Sequence, residues 1–143
     1  MNLTVGIDAE QISALDDLHA AWAAEQGSEI DSDAWVENVR GAAGSGRFLP
    51  WVAWDGERPV GCAELHLIYD PISRKTAACG ERGFVLPEYR SRGVFESITE
   101  SMLAYAETLG VHAERMSADT DWMRDFYGRY GFAPVSTCMG RTL

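Results

Sequence analysis

The chain has 143 residues and 46% of them are apolar, which is typical of one folded domain and excludes a disordered segment. Its formal net charge of −10 argues against general binding to nucleic acid or to an anionic membrane surface. No apolar run is long enough to span a bilayer and no secretion signal is visible, so we expect a cytoplasmic protein. The cysteines form neither a CxxC pair nor a metal-binding spacing with histidine, and the sequence therefore predicts no metal site.

Hydrophobic spacing in the first half of the chain predicts a strand, two helices and then two strands. The expected elements are a strand over 3–7, a helix over 8–25, a helix from 32, a flexible loop over 41–46, and strands over 48–54 and 59–69. Asp8 is the expected cap of the first helix, and Trp35 and Val36 should face inward from the second. Asp55-Gly56 predicts a hairpin between the two later strands.

The second half of the chain predicts four further strands and two helices. The expected elements are a strand over 75–86, a helix over 94–109, a strand over 111–118, a helix over 121–130, and strands over 132–135 and 137–142. This order predicts a mixed α/β fold, in which a mostly antiparallel sheet of about seven strands carries helices on both faces. One parallel crossover is expected around the helix at 94–109. The whole chain, 1–143, is expected to form a single domain.

The stretch over 85–95 joins a strand to a helix through a short basic loop. Arg90 and Arg92 add positive charge, and Gly93 lets a ligand approach the backbone closely. The first N–H groups of the helix have no intrahelical partner and the helix dipole is positive there, so this geometry suits a phosphate. The alternative is a surface turn that happens to carry two arginines. The loop matches neither GxGxxG nor GxxxxGK[ST], which argues against a dinucleotide fold and a nucleoside-triphosphate loop.

Two segments resemble signatures of the GNAT superfamily of acetyl-CoA-dependent N-acetyltransferases. Arg90-Ser91-Arg92-Gly93-Val94-Phe95 is similar to the family's pyrophosphate loop, which has Arg or Gln, two residues, Gly, one residue, and then Gly or Ala. The segment over 126–132 resembles the second signature, an aromatic pair on a short helix followed by Gly-Phe. The resemblance covers the chain from about residue 60 to the end by motif and the rest by element order. It implies a GNAT-like fold, acetyl-CoA as the acetyl donor and a primary amine as the acceptor.

The resemblance also assigns residues to the acetyl-CoA site. They are Phe84, Val85, Leu86, Arg90, Ser91, Arg92, Gly93, Val94, Phe95 and Thr120. Three positions depart from the family's pattern. Phe95 stands where the family has Gly or Ala, so its ring either hinders the donor or turns inward. Thr120 replaces a frequent Asn, and Gly83 replaces a bulky strand residue, which indicates a bulge or a close approach of the donor.

Transfer of an acetyl group from a thioester to an amine needs a proton acceptor, a donor to the developing oxyanion and an acid for the leaving sulfur. The resemblance implies that Tyr127 donates its phenolic proton to the sulfur; the alternative is that Tyr127 is a core aromatic residue. A backbone N–H near Val85 would hold the thioester carbonyl. The candidate proton acceptors are Glu81, Glu64 and His66, and the last two share one face of their strand.

Other interpretations of the polar residues stay open. Glu81 could instead pair with Arg82 or Arg74 at the surface of the sheet, and the reaction could proceed without a dedicated base. His19 and His112 are expected to be structural or exposed.

The acceptor is expected to lie against the two N-terminal helices and the loop over 41–46, the region that sets specificity in the resembling family. This region is acidic, because nine Asp and Glu residues, the last of them Glu37, precede the first Lys or Arg of the chain, Arg40. Four tryptophans lie near it in sequence: Trp22, Trp35, Trp51 and Trp54. Acid with aromatic surface suits a cationic amine, either a polyamine-like or aminoglycoside-like molecule or a basic peptide end. The alternative is a solvated acidic face that keeps the protein soluble.

Three further questions stay open at this point. A homodimer through sheet edges or the C-terminal strands is compatible with the sequence. The chain could also be a GNAT-fold sensor or interaction module that binds acyl-CoA without chemistry, a function that the unusual Phe95 and Thr120 keep in view. A small α/β protein that binds another phosphorylated ligand is the third alternative.

Overall fold

A computed structural model of the protein describes residues 1–7, 12–29, 32–135 and 141. In this part of the chain a single sheet of five strands is accompanied by four α-helices and one 3₁₀ turn. In chain order the elements are β1 (Leu3–Ile7), α1 (Ile12–Glu25), α2 (Ser32–Gly44), β2 (Phe48–Asp55), β3 (Arg58–Asp70), β4 (Lys75–Val85), the 3₁₀ turn (Pro87–Tyr89), α3 (Val94–Thr108), β5 (Ala113–Met116) and α4 (Asp121–Gly128). None of these helices is long and apolar enough to cross a membrane.

The strands lie in the sheet in the order of the sequence, and all neighbours are antiparallel except β4 and β5. The β4–β5 connection runs through α3, which confirms the predicted parallel crossover. The predicted hairpin joins β2 to β3 in a two-residue loop, where Gly56 takes a φ of 60° that favours glycine. The mixed α/β class is therefore as predicted.

The sheet has five strands in the described part of the chain, not the predicted seven. Residues 132–135 were expected to be a strand but have no regular structure. The Phe132 N–H donates to the carbonyl of Tyr127, and its ring lies 5.8 Å from that of Tyr127, so this segment closes the end of α4. The other expected strand, over 137–142, lies almost entirely outside the described residues.

The second N-terminal helix, α2, is longer than predicted. The loop expected over 41–46 begins later, because α2 continues to Gly44. Ser45 closes that helix by donating both its N–H and its hydroxyl to the carbonyl of Ala42. The predicted cap Asp8 and the side chains of Trp35 and Val36 lie outside the described part of the structure.

Each face of the sheet carries its own apolar core. One face packs against α3, whose buried residues recur at helical spacing: Val94, Ile98, Met102 and Ala106. The other face packs against α1 and α2 through Leu15, Leu18 and Val39. Helices therefore cover both faces. Successive side chains along β3 or β4 point alternately toward α3 and toward α1 and α2.

Candidate active site

The sheet opens between β4 and β5 at a bulge in β4. In the register with β3, Arg82 and Gly83 of β4 lie opposite the single residue Ala63. Arg82 has a left-handed φ of 48°, which costs a residue with a side chain about 1–2 kcal/mol. The β4–β5 ladder ends just before this bulge, at the pair Gly80 and Met116. From there to its C-terminus, the outer edge of β4 has no partner strand among the described residues.

The N–H of Val85 points into this opening. Leu86 donates its N–H to the carbonyl of Val60 at 3.0 Å, so the facing residues Gly61 and Val85 form a non-hydrogen-bonded pair of the antiparallel ladder. In such a pair, the N–H and C=O groups face away from the neighbouring strand. The carbonyl of Val85 accepts a hydrogen bond from Arg90 Nε at 3.0 Å, which agrees with that direction. The N–H of Val85 therefore faces the side of β4 that has no partner strand among the described residues.

A helix N-terminus borders the same opening. Gly93 caps α3 with a φ of 78°, and the first intrahelical bond runs from the Ser97 N–H to the Gly93 carbonyl at 3.0 Å. The N–H groups of Val94, Phe95 and Glu96 precede that bond and project beyond the helix, where the dipole favours an anion. Glu96 is the acidic residue in this first turn.

The loop arginines already have protein partners. Besides its bond to Val85, Arg90 pairs through Nη2 with Glu25 Oε2 of α1 at 2.6 Å. Its guanidinium also lies 5.6 Å from the ring centroid of Phe84. Arg92 lies 5.6 Å from the ring centroid of Tyr89. Both arginines therefore hold the loop in place, and the side chains of both remain exposed near the start of α3.

The ring of Phe95 turns inward, which was one of the two positions expected for it. It lies on the backbone of Gly83, so a Cβ at residue 83 would overlap Cε2 of Phe95 and come within 2.9 Å of its Cζ. On its other side the ring centroid lies 5.0 Å from that of Phe126, 5.7 Å from that of Trp122 and 6.3 Å from that of Tyr127. Phe95 thus fills the space between β4 and α4.

Tyr127 lies at the inner end of this aromatic group. Its side chain is buried, with 6% of the residue exposed, and burial raises the pKa of its phenol to about 12. The phenol therefore keeps its proton throughout the physiological range. Both expectations for Tyr127 are compatible with this position, because it packs as a core aromatic residue and still carries a proton that it can donate.

Glu64 is the centre of a buried polar cluster on the face that α1 covers. Only 2% of the residue is exposed, and its carboxylate binds Arg82 Nη1 and lies 3.0 Å from His66 Nε2 and 3.3 Å from His19 Nε2. Burial alone would raise the pKa of Glu64, but the bond from His66 and the positive charge of Arg82 lower it below its usual value. Burial lowers the pKa of His19 below its usual value, against the opposing effect of the Glu64 carboxylate.

Two further predicted site residues, Glu81 and Thr120, lie at the surface. Glu81 is exposed on β4 and pairs in register with Glu64 on β3. Arg82, one of the suggested partners of Glu81, binds Glu64 instead. Thr120 caps α4, since its hydroxyl oxygen accepts the Met123 N–H at 3.2 Å.

The expected role of one tryptophan is wrong. Trp51 was grouped with the acceptor region, but it is buried on the opposite face and donates its Nε1–H to Ser101 Oγ of α3 at 2.9 Å. Trp22 and Trp54 do pack against the core beside α1 and α2. The side chain of Trp35 lies outside the described part of the structure.

Sequence reasoning missed two members of the Glu64 cluster. Arg82 was considered only as a partner for Glu81, and His19 only as a structural or exposed residue. The apolar face of α1 was visible in the spacing of Leu15, Leu18 and His19, and it could have placed His19 over the sheet. Within the described residues, no group of three His, Cys, Asp or Glu side chains could hold a metal ion.

The geometry can be compared with known proteins. The family profile of the GNAT acetyltransferases matches residues 13–132 of the chain. A predicted acetyltransferase with acetyl-CoA from Clostridium acetobutylicum is 16% identical, with a TM-score of 0.79 over 99% of this chain and 95% of that one. A transcriptional regulator from Bacillus halodurans is 17% identical, with a TM-score of 0.84 over 99% of each chain. An aminoglycoside acetyltransferase from an uncultured soil metagenomic sample is 16% identical, with a TM-score of 0.83 over 99% of this chain and 97% of that one.

No curated protein matches the chain at a significant level. Identities this low show a shared fold and nothing finer. The family match is stronger, because it spans most of the chain and includes both the loop at 90–95 and the segment at 126–132. Together with the open edge of β4 and the free start of α3, it establishes that the chain belongs to the GNAT family of acetyltransferases.

Proposed function

We propose that the protein transfers an acetyl group from acetyl-CoA to the primary amine of a small cationic acceptor. The observation that carries this proposal is the opening of the sheet beyond Gly80 and Met116. The outward N–H of Val85 and the start of α3 border that opening, and the ring of Tyr127 lies 6.3 Å from the ring of Phe95, which contacts Gly83 at the same place. A donor group, an anion site and an acid are the components that acyl transfer from a thioester requires.

The acetyl-CoA site is supported by the chemistry of the residues around the opening. The N–H groups of Val94 and Phe95 would bind the diphosphate, with Arg92 and Ser91 beside them. The flanking strand residues Phe84, Val85 and Leu86 would line the arm of the donor. Arg90 would contribute its charge on leaving Glu25, and Thr120 retains a hydroxyl proton that it can donate while its oxygen caps α4.

Bound acetyl-CoA would supply the acetyl group as a reactive thioester. The N–H of Val85 would donate a hydrogen bond to the carbonyl oxygen as negative charge develops there. The amine nitrogen forms its bond to the carbonyl carbon while the carbon–sulfur bond breaks. Tyr127 would donate its proton to the departing sulfur, so that the products are an N-acetylated amine and free coenzyme A.

We assign the proton released by the amine to Glu81 rather than to Glu64. Glu81 is exposed on the strand that borders the opening, four residues before Val85 and therefore roughly 13 Å away along the strand, so water would relay the proton. Glu64 is buried and already binds Arg82 and both histidines. We propose that Glu64 is a positioning residue, which stabilises the left-handed conformation of Arg82 and so the bulge that opens the sheet.

The cationic acceptor rests on the charge of the N-terminal helices. The exposed side chains of Asp17, Glu29 and Glu37 lie on or next to α1 and α2, and Trp22 and Trp54 pack nearby. This combination attracts amines by charge and by cation–π contacts. Release of free thiol from acetyl-CoA should therefore be fastest with polyamines, aminoglycosides or basic peptide ends. A preference for anionic or apolar amines would contradict this assignment.

A second candidate function is binding of acyl-CoA without chemistry, as a sensor or interaction module. The position of Phe95 favours it, because the ring lies on Gly83 beside Tyr127 and would keep a thioester away from the phenol. The similarity to a transcriptional regulator is compatible with this function as well. Binding of coenzyme A without thiol release across the amine panel would favour the sensor over the enzyme. A cytoplasmic location and a single domain remain predictions under both functions.

A further inference from the structure

We propose that the side chain of Phe95 is a gate in the donor site, whose ring must leave Gly83 before the arm of acyl-CoA can reach Tyr127. This inference rests on the proposed acetyl-CoA site and adds a conformational step to it. Phe95 is the second residue of α3, so its backbone N–H belongs to the proposed diphosphate site while its ring lies between β4 and α4.

The contacts on both sides of the ring define the closed position. Gly83 provides the space on β4, since a Cβ there would overlap Cε2 of Phe95. Phe126 and Trp122 close the space from α4, with ring centroids 5.0 Å and 5.7 Å from that of Phe95. The ring packs at the edge of the core beneath α3 and is only partly buried, so it has a path toward solvent.

The ring occupies the space between β4 and α4 that the arm of the donor has to enter. The diphosphate would bind at the start of α3, whereas the thioester would lie between the N–H of Val85 and the phenol of Tyr127. The Phe95 ring contacts Gly83, two residues before Val85, and lies 6.3 Å from the ring centroid of Tyr127. A thioester between Val85 and Tyr127 needs part of the space that this ring fills, so the closed ring and a fully bound donor exclude each other.

A gate of this kind changes the kinetics of binding in a recognisable way. When a ligand binds only the open form, the apparent affinity falls by the fraction of molecules that are open. The observed binding rate also levels off at high ligand concentration, because the opening step becomes limiting. Replacement of the ring by a methyl group should remove both effects.

The test is stopped-flow binding of coenzyme A, followed by tryptophan fluorescence, in the wild-type protein and in Phe95→Ala. We expect the wild-type rate to level off with coenzyme A concentration, and the Phe95→Ala rate to rise linearly and be about tenfold faster at low concentration. Phe132→Leu is the matched control, because Phe132 also packs on Tyr127, at 5.8 Å, without lying on Gly83. It should behave as the wild type does.

A second variant keeps the test valid if Phe95→Ala does not fold. Phe95→Leu keeps an apolar side chain against the core beneath α3 but is smaller than phenylalanine, so it should show a smaller loss of the limiting step. Linear and equal rates in the wild type and either variant would overturn the gate while leaving the proposed acetyl-CoA site intact. Failure of the wild type and of both variants to bind coenzyme A would overturn the proposed function together with the gate.

Discussion

Arg90 and Glu25 form an ion pair, with 2.6 Å between Nη2 and Oε2, that ties α1 to the loop before α3. The same guanidinium donates through Nε to the carbonyl of Val85. Arg90 therefore connects the helix next to the proposed acceptor site with the strand that would hold the thioester. A phosphate at the start of α3 has to compete with Glu25 for this arginine.

Neutralising Glu25 should strengthen binding of the donor. The Arg90–Glu25 pair is nearly half exposed, and pairs of this kind contribute about 0.2–1 kcal/mol. Glu25→Gln should therefore lower the dissociation constant of coenzyme A by about 1.5- to 5-fold, with the larger effect at low ionic strength. Titration calorimetry at two salt concentrations measures it. Glu29→Gln removes an exposed charge from the same segment as a control, and an equal effect of both variants would refute a specific competition.

Loss of the Tyr127 hydroxyl should reduce turnover far more than donor affinity. A positioned general acid contributes about 100-fold or more, so Tyr127→Phe should lower kcat by at least that factor with little change in the dissociation constant of coenzyme A. Because the pKa of Tyr127 is raised to about 12 by burial, the wild-type rate should show no alkaline loss from this group up to about pH 10. Tyr130→Phe, which removes a hydroxyl bonded to Glu100 at 3.2 Å, is the control. Unchanged turnover in Tyr127→Phe would assign the acid elsewhere.

Glu64 should make the stability of the protein depend on pH. The pKa of Glu64 is lowered in the folded state below its ordinary value of 4.5, and that of His19 below 6.5. The unfolded chain then binds more protons than the folded protein at acid pH, so the free energy of unfolding decreases as the pH falls below about 6.5 and again below about 4.5. Urea unfolding at a series of pH values measures this decrease.

The variant Glu64→Gln separates the contribution of the carboxylate. It leaves Arg82 without its partner, but half of the Arg82 side chain is exposed and can be hydrated, so we expect a loss of about 1–3 kcal/mol at neutral pH. The loss should shrink below pH 4.5, where the wild-type carboxylate is itself protonated. Glu81→Gln, at the facing and exposed position, should change stability by less than about 0.5 kcal/mol. A pH-independent effect of Glu64→Gln would show that its charge does not matter.

The cap of α4 should be measurable in the free energy of unfolding. Thr120 accepts the Met123 N–H, and removal of such a cap costs about 1 kcal/mol. Thr120→Ala should therefore be less stable than the wild type, whereas Thr120→Asn, which can also cap, should be about as stable. If Thr120 also donates to the arm of acyl-CoA, Thr120→Ala should weaken coenzyme A binding as well. Equal stability of Thr120→Ala and the wild type would contradict the cap.

The parts of the site that follow from local rules could be predicted from the sequence. The strand-to-helix loop was visible because its two arginines and its glycine lie within four residues, over 90–93. Period-two alternation placed Glu64 and His66 on one face of β3, where they indeed lie 3.0 Å apart. The pairing of Glu64 with Arg82 could not be predicted in this way. It depends on the bulge in β4, which shifts the register by one residue and turns Arg82 toward the face that α1 covers.

Other errors have a similar origin in tertiary contacts. Trp51 follows the acidic helices closely in sequence. Its side chain lies on the other face of the sheet, because adjacent strand residues point in opposite directions. The segment over 132–135 has the composition of a strand, but Phe132 finds its partners on α4. In both cases local sequence leaves two placements open, and the packing of distant residues decides between them.

The contact between Gly83 and Phe95 has a consequence for the evolution of this family. A large side chain at one position can be accommodated only if the other is small, so a mutation at either one alone is disfavoured. Here glycine on the strand accompanies phenylalanine on the helix, the reverse of the family's usual arrangement at these two positions. We therefore expect the two positions to covary among relatives, with a large side chain on either the strand or the helix and seldom on both.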